Sequence, residues 1–129
     1  MTGAEPHAVV FTLRGEAATA RLAVGEFFED RGWRVRERGE GRVDFESGSR
    51  RRTILLGAPA GRRFLLTAQI SLRELGDRTE VRYRWGESAG QELGGRLGRT
   101  RARRAHRETA AALEQVLHDD GMLLSTRWT

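Results

Sequence analysis

The order of its apolar patterns constrains this chain more than any single residue does. One short alternating stretch comes first, then an amphipathic helical stretch, then five short strand-like segments, then one long helical stretch. His7–Arg14 reads as a strand with Val9, Phe11 and Leu13 on one face, and Val10 on the other suits an interior position. Glu16–Arg31 reads as a helix, because Ala17, Ala20, Ala23, Val24, Phe27 and Phe28 share one stripe at helical spacing. Glu26, Glu29 and Asp30 lie opposite, Leu22 is the one apolar misfit, and Gly32 is a natural stop.

Trp33–Arg36 and Arg42–Ser47 then alternate with period two around Gly39-Glu40-Gly41, as one hairpin or one bent strand. Arg52–Leu56 is a further strand, followed by the turn residues Ala58-Pro59-Ala60-Gly61. Phe64, Leu66, Ala68, Ile70 and Leu72 form the longest clean alternation. Gly76-Asp77 turns it into Val81, Tyr83 and Trp85, with Arg82 and Arg84 on the outer face. Short loops between successive strands predict an antiparallel meander.

The last helix is expected to start at Ser88, where Ser88-Ala89-Gly90-Gln91 is a capping box, and to end before Gly121. Ala102, Ala105, Thr109, Ala112, Leu113 and Val116 share one face with Leu117 at its edge, while Arg96, Arg103 and Arg107 lie far from it and Arg99 flanks them. Leu93 and Leu97 do not share that phase, so the helix kinks near Gly98 or these leucines touch something other than the sheet. The expected fold class is α+β: a curved antiparallel sheet of five or six strands, in the order β-α-β(4–5)-α, with the long C-terminal helix across it. A length of 129 residues suits one domain spanning 1–129, with a flexible segment at 1–6 and a C-terminal tail at 121–129.

Composition removes several function classes. There is no cysteine, hence no disulfide, thiolate metal site or cysteine nucleophile. The first residues lack the basic and apolar regions of a signal peptide, and no apolar run approaches the ~20 residues of a membrane span. A cytoplasmic protein without a membrane span is therefore expected. All 23 basic residues are arginine. The coding bias of a GC-rich bacterium accounts for that, so each arginine is read as a cation rather than as a selected bidentate fork. The net charge of +5 is uneven: residues 1–49 hold 7 arginines and 9 acids, residues 50–85 hold 9 and 3, and residues 86–129 hold 7 and 6.

Four features bear on function. Gly86, Gly90, Gly94 and Gly98 recur at i+4, and Ala102, His106 and Ala110 continue the row. Such a row is a loop or a tightly packed helix, a pocket mouth, or a helix–helix dimer seam. It is not a phosphate-binding loop, because no Gly-Lys-Ser/Thr follows. The inner sheet face is aromatic, and a candidate ligand pocket comprises Phe45, Phe64, Leu66, Tyr83 and Trp85, with Gly94 and Gly98 near its mouth. Ordinary core is the alternative; buried Tyr83 and Trp85 each need a polar partner, as at a cavity wall.

Arg96, Arg99, Arg103 and Arg107, with the Arg50-Arg51-Arg52 run, form a candidate basic surface for nucleic acid or an anionic protein partner. No recognition-helix, RNA-binding or zinc-knuckle signature accompanies them. The apolar tail Met122-Leu123-Leu124 either joins a homodimer or docks on its own domain with Trp128 as anchor. His7, His106 and His118 are far apart in sequence and none has a nucleophile partner by motif, so no catalytic residue, metal or cofactor is expected.

Through the segments Val9–Leu13, Ala17–Phe28, Phe64–Leu72, Val81–Trp85 and Ser88–Asp119, the chain resembles the helix-grip proteins, the START and Bet v 1-like lipid and polyketide binders. It is also similar to the shorter single-copy TBP-like domains. The helix-grip resemblance implies a long C-terminal helix closing an apolar cavity against the sheet. The single short helix between Val9–Leu13 and Trp33, where larger members place additional structure, implies a smaller cavity or none. The leading expectation is a non-enzymatic module holding a small apolar or amphipathic molecule between sheet and last helix; the alternatives are an arginine surface for anions and a homodimerising scaffold.

Overall fold

The computed structural model describes residues 7–47, 66–85 and 96–129. Arg52–Leu56, Phe64, Ser88 and Gly94 lie outside them. The elements are β1 (Ala8–Arg14), α1 (Ala17–Asp30), β2 (Arg34–Gly39), β3 (Arg42–Ser47), β4 (Leu66–Leu75), β5 (Arg78–Trp85), α2 (Arg96–Asp119) and β6 (Leu123–Trp128). They build an α+β fold, in which six antiparallel strands form an open sheet in the order β2-β3-β4-β5-β1-β6. Both helices pack on one face of it.

The first helix ends as the sequence implies, and the geometry shows why. Gly32 takes a φ of +84°. Its N–H then reaches the Glu29 carbonyl at 2.9 Å, while the Trp33 N–H reaches the Phe28 carbonyl at 3.0 Å. This is a Schellman ending, and the apolar contact that accompanies it is Trp33 on Phe28, with ring centroids 4.9 Å apart. The helix stop therefore also delivers Trp33 into the core. Gly121, at φ +76°, repeats the device at the end of α2: Gly121 N–H meets His118 O and Met122 N–H meets Leu117 O, both at 3.0 Å.

At its start, α1 takes no cap from its own Glu16 side chain. Instead Glu74 on β4 accepts from the Ala17 N–H at 2.8 Å, placing a carboxylate at the positive end of the helix. The adjoining β4–β5 turn holds the same corner, through Gly15 N–H to Asp77 O and Thr79 O–H to Gly15 O, each at 2.8 Å.

The segment from Arg34 to Glu46 is a hairpin, turning through Gly39 and Gly41 with a register shift between Glu37 and Gly39. The tail behaves as more than a docked coil. Leu123–Trp128 pairs with β1, covers what would be its free edge, and makes β1 interior. Trp128 lies opposite Val9 but stays 37% exposed, so backbone pairing rather than a buried indole fixes the tail.

The phase of α2 also departs from expectation. Ala102, His106, Thr109, Ala110, Leu113 and Leu117 face the sheet, whereas Val116 is 38% exposed. Leu117, expected at the edge, is fully buried, and Leu22 is exposed on α1 as its position on the polar side implies. The shared core joins Val24, Phe27 and Phe28 of α1 to Leu113 and Leu117 of α2 over Phe11, Val43, Ile70 and Val81.

The turn glycines give a graded test. Gly121→Ala puts a methyl into open space at positive φ and is expected to cost about 1 kcal/mol. Gly41→Ala carries the same strain at φ +67° and also sets its methyl 3.0 Å from the Leu72 carbonyl oxygen, beside the 2.7 Å bond from Leu72 N–H to Gly41 O. Urea denaturation should therefore show the larger loss for Gly41→Ala.

Candidate functional site

Antiparallel register sets inner-face residues in rows across the sheet. Phe45, Ala68 and Trp85 form one row, and Val43, Ile70, Tyr83 and Val9 the next. The first row lies where β3 and β5 finish and β4 begins. Leu66 is one step further out on β4, opposite Ser47. Phe45, Leu66, Tyr83 and Trp85 are all buried at this end of the sheet.

The helices add the rest. Phe28 of α1 stacks on Phe45 at 4.5 Å and meets Tyr83 edge-on at 5.8 Å. From α2, His106 enters between Tyr83 and Trp85. Its ring stacks on Trp85 with centroids 5.6 Å apart and planes at 10°, and meets Tyr83 edge-on at 5.7 Å. Trp33 closes a third side at 6.4 Å. Neither His106 nor Trp33 is among the residues that the sequence singles out for a pocket. The available signals were the i+4 row Ala102-His106-Ala110 and the position of Trp33 directly after a helix-stop glycine.

The polar chemistry of this cluster is specific. The Tyr83 hydroxyl lies 2.8 Å from His106 Nδ1, fully buried. Burial pushes the Tyr83 phenol well above its ordinary range, opposed by the positive charge of Arg31, so its proton stays on. Burial lowers the His106 pKa from 6.5 to about 4, so the imidazole is neutral near neutral pH. A neutral imidazole has one donor and one acceptor nitrogen. If Nδ1 accepts from the phenol, the tyrosine proton is satisfied and Nε2 carries the imidazole hydrogen. The opposite tautomer leaves the phenol proton without an acceptor and Nε2 as an idle acceptor, so the first arrangement is the favoured one.

His106 Nε2 and Trp85 Nε1 are both buried, and neither has a hydrogen-bond partner among the described residues. In that arrangement the stacked pair presents two N–H donors, unpaired among the described residues, inside an aromatic shell. Each unmet donor costs roughly 1–3 kcal/mol, more than most single contacts contribute. A third such atom, Thr126 Oγ1, belongs to β6 opposite Phe11, two strands and four residues away by register.

The remaining candidate residues divide. Phe64 and Gly94 lie outside the described residues, and Gly98 falls in the first turn of α2 with Arg96 and Arg99. Arg103 is half-buried and Arg107 exposed, and both are engaged in contacts. Among the described residues, no three His, Asp or Glu side chains gather as a metal set, and no helix is long and apolar enough to cross a membrane. No family model and no curated protein matches this chain.

The buried histidine makes stability depend on pH. His106 binds its proton more weakly folded than unfolded, so stability is full above pH 6.5 and is lost as pH falls toward about 4. The expected slope approaches 1.4 kcal/mol per pH unit in that window. His106→Gln, whose amide oxygen can still accept from Tyr83, should remove this part of the dependence when urea unfolding is compared at pH 7.0, 5.5 and 4.5.

Proposed function

We propose that this protein is a non-enzymatic binding module that holds a small apolar or amphipathic molecule between the sheet and α2, at the Trp85–His106 end. The observation that carries the reading is the pair of buried nitrogens Trp85 Nε1 and His106 Nε2, unpartnered among the described residues and set among Trp33, Tyr83 and Trp85; with Nδ1 accepting from Tyr83, both are N–H donors. Buried polar groups in folded proteins are nearly always paired, and an unpaired set calls for an explanation. An oxygen acceptor on a ligand would supply one, while the aromatic rings would take its apolar part.

Packing supports the same end of the molecule rather than the middle of the sheet. Phe28, Leu113 and Leu117 are fully buried within the shared core, so protein atoms already occupy the central space. Phe45 and Tyr83 then form the inner wall and Trp85 and Leu66 the outer part. Of the two outcomes that the short α1 connection implies, a smaller cavity or none, this reading takes the smaller cavity, with a modest ligand that borders the core.

Native mass spectrometry of protein purified gently from its own host is expected to show a discrete added mass of a few hundred daltons, released on denaturation. Trp85→Phe keeps an aromatic ring but deletes the N–H together with the five-membered half of the indole. It should weaken rebinding of the released compound at least tenfold, because a hydrogen bond of ~1.4 kcal/mol is lost along with part of the ring contact. A clean apo mass from freshly lysed cells, with no change in tryptophan emission on adding host lipid extract, would contradict the proposal.

A further inference from the structure

The face of the sheet opposite the helices carries a second feature. Register places Arg127, Val10, Arg82, Ser71 and Arg42 in one outward row, crossing β6, β1, β5, β4 and β3 in turn. Arg84 extends it on one side, and Arg73, opposite Glu80, on the other. Arg42, Arg73, Arg82, Arg84 and Arg127 are all exposed, and none forms an ion pair with a described residue.

The contrast with the β2–β3 end makes this more than an arginine-rich composition. There Glu46 pairs Arg36 at 3.2 Å and lies 4.0 Å from Arg34, while the buried Asp44 holds Arg38 at 2.8 Å. The same face neutralises its cations at one end and, among the described residues, leaves them unpaired at the other. Arg14 and Arg78 even stand directly opposite each other on β1 and β5, a cross-strand like-charge pair that is unfavourable without an anion nearby. Asp77 relieves only part of it, at 3.9 Å from Arg78.

We propose that this outward face binds the phosphate backbone of double-stranded nucleic acid without reading its sequence. Neighbouring strands are ~4.8 Å apart, so Arg127, Arg82 and Arg42 recur at two-strand intervals of about 10 Å over a patch of about 20 Å. Guanidinium groups held at such intervals on a rigid sheet suit a regular polyanion. The outward rows of β1, β3, β4 and β5 contain no aromatic side chain, so bases have nothing to stack on, which disfavours a single strand. Protein interfaces rely on buried apolar or aromatic anchors, and membrane surfaces take inserted apolar groups. Val10, the apolar residue within the arginine row, is itself buried, and Leu75 lies at the far rim opposite Arg78. Charge and hydrogen bonding are what remain to recognise a partner. The proposal is independent of what occupies the helix-covered face.

The test is fluorescence anisotropy of the full chain with labelled 20-base-pair duplexes of two unrelated sequences, between 50 and 200 mM salt. The two affinities should agree, and log K should fall against log salt with a slope of about −4, as four or five phosphate contacts require. Arg82→Ala and Arg127→Ala should each reduce the slope by about 1 for both duplexes, with an unchanged circular dichroism spectrum. Arg101→Ala and Arg104→Ala, at exposed positions on α2, should leave it unchanged. Four results would overturn the proposal: no binding at 50 mM salt; tighter binding to single strands; binding to anionic phosphatidylserine vesicles but not to duplex; or loss of binding in the α2 variants while the sheet variants bind normally.

Discussion

The buried hydrogen bond between Tyr83 and His106 ties the two halves of this fold together. Tyr83 belongs to a central strand and His106 to the long helix, 23 positions apart. Net, such a bond contributes about 1 kcal/mol, but removing either partner leaves a buried polar group unmet at a cost of ~1–3 kcal/mol. That asymmetry fixes the rotation of α2 about its own axis. With His106 held inward, Ala102, Ala110, Leu113 and Leu117 must face the sheet and Val116 must turn outward. With Nδ1 accepting from the phenol, the other nitrogen of His106 faces the aromatic shell as a donor.

Local chemistry made much of the architecture legible in the sequence. Gly32, Gly121 and Gly76 sit at positive φ where a helix stop or a turn was read, and the alternation Leu66-Ala68-Ile70 marks the buried face of β4. Two elements were less readable, each for a physical reason. On α2 the inward face was assigned largely from alanines, which pack acceptably on several sides and so define phase poorly. The residue that does define it is a histidine, counted as polar until its partner is known. On β6 the register shift between Thr12 and Leu13 interrupts period two, so Leu123 and Leu124 stand together and the segment reads as an apolar tail.

The candidate site was legible only in part. Tyr83 and Trp85 stood out because aromatic residues with a polar atom require partners, and Phe45 and Leu66 because they share their face. Trp33 and His106 come to the cluster from outside the sheet, one through the backbone geometry at Gly32 and one through the phase of α2. No pattern along the sequence joins them. The two sheet faces thus divide the chemistry: aromatic and nearly uncharged beneath the helices, cationic on the side away from them.

The most direct test of this account is a long-range proton–nitrogen NMR titration of the His106 ring. The account requires a neutral ring at pH 7 with the hydrogen on Nε2, unprotonated Nδ1 accepting from Tyr83, and protonation only near pH 4. A ring carrying its hydrogen on Nδ1 would contradict it, because His106 would then be neither the acceptor that pins α2 nor a donor at Nε2; one titrating near 6.5 would contradict the burial of the ring that holds it neutral.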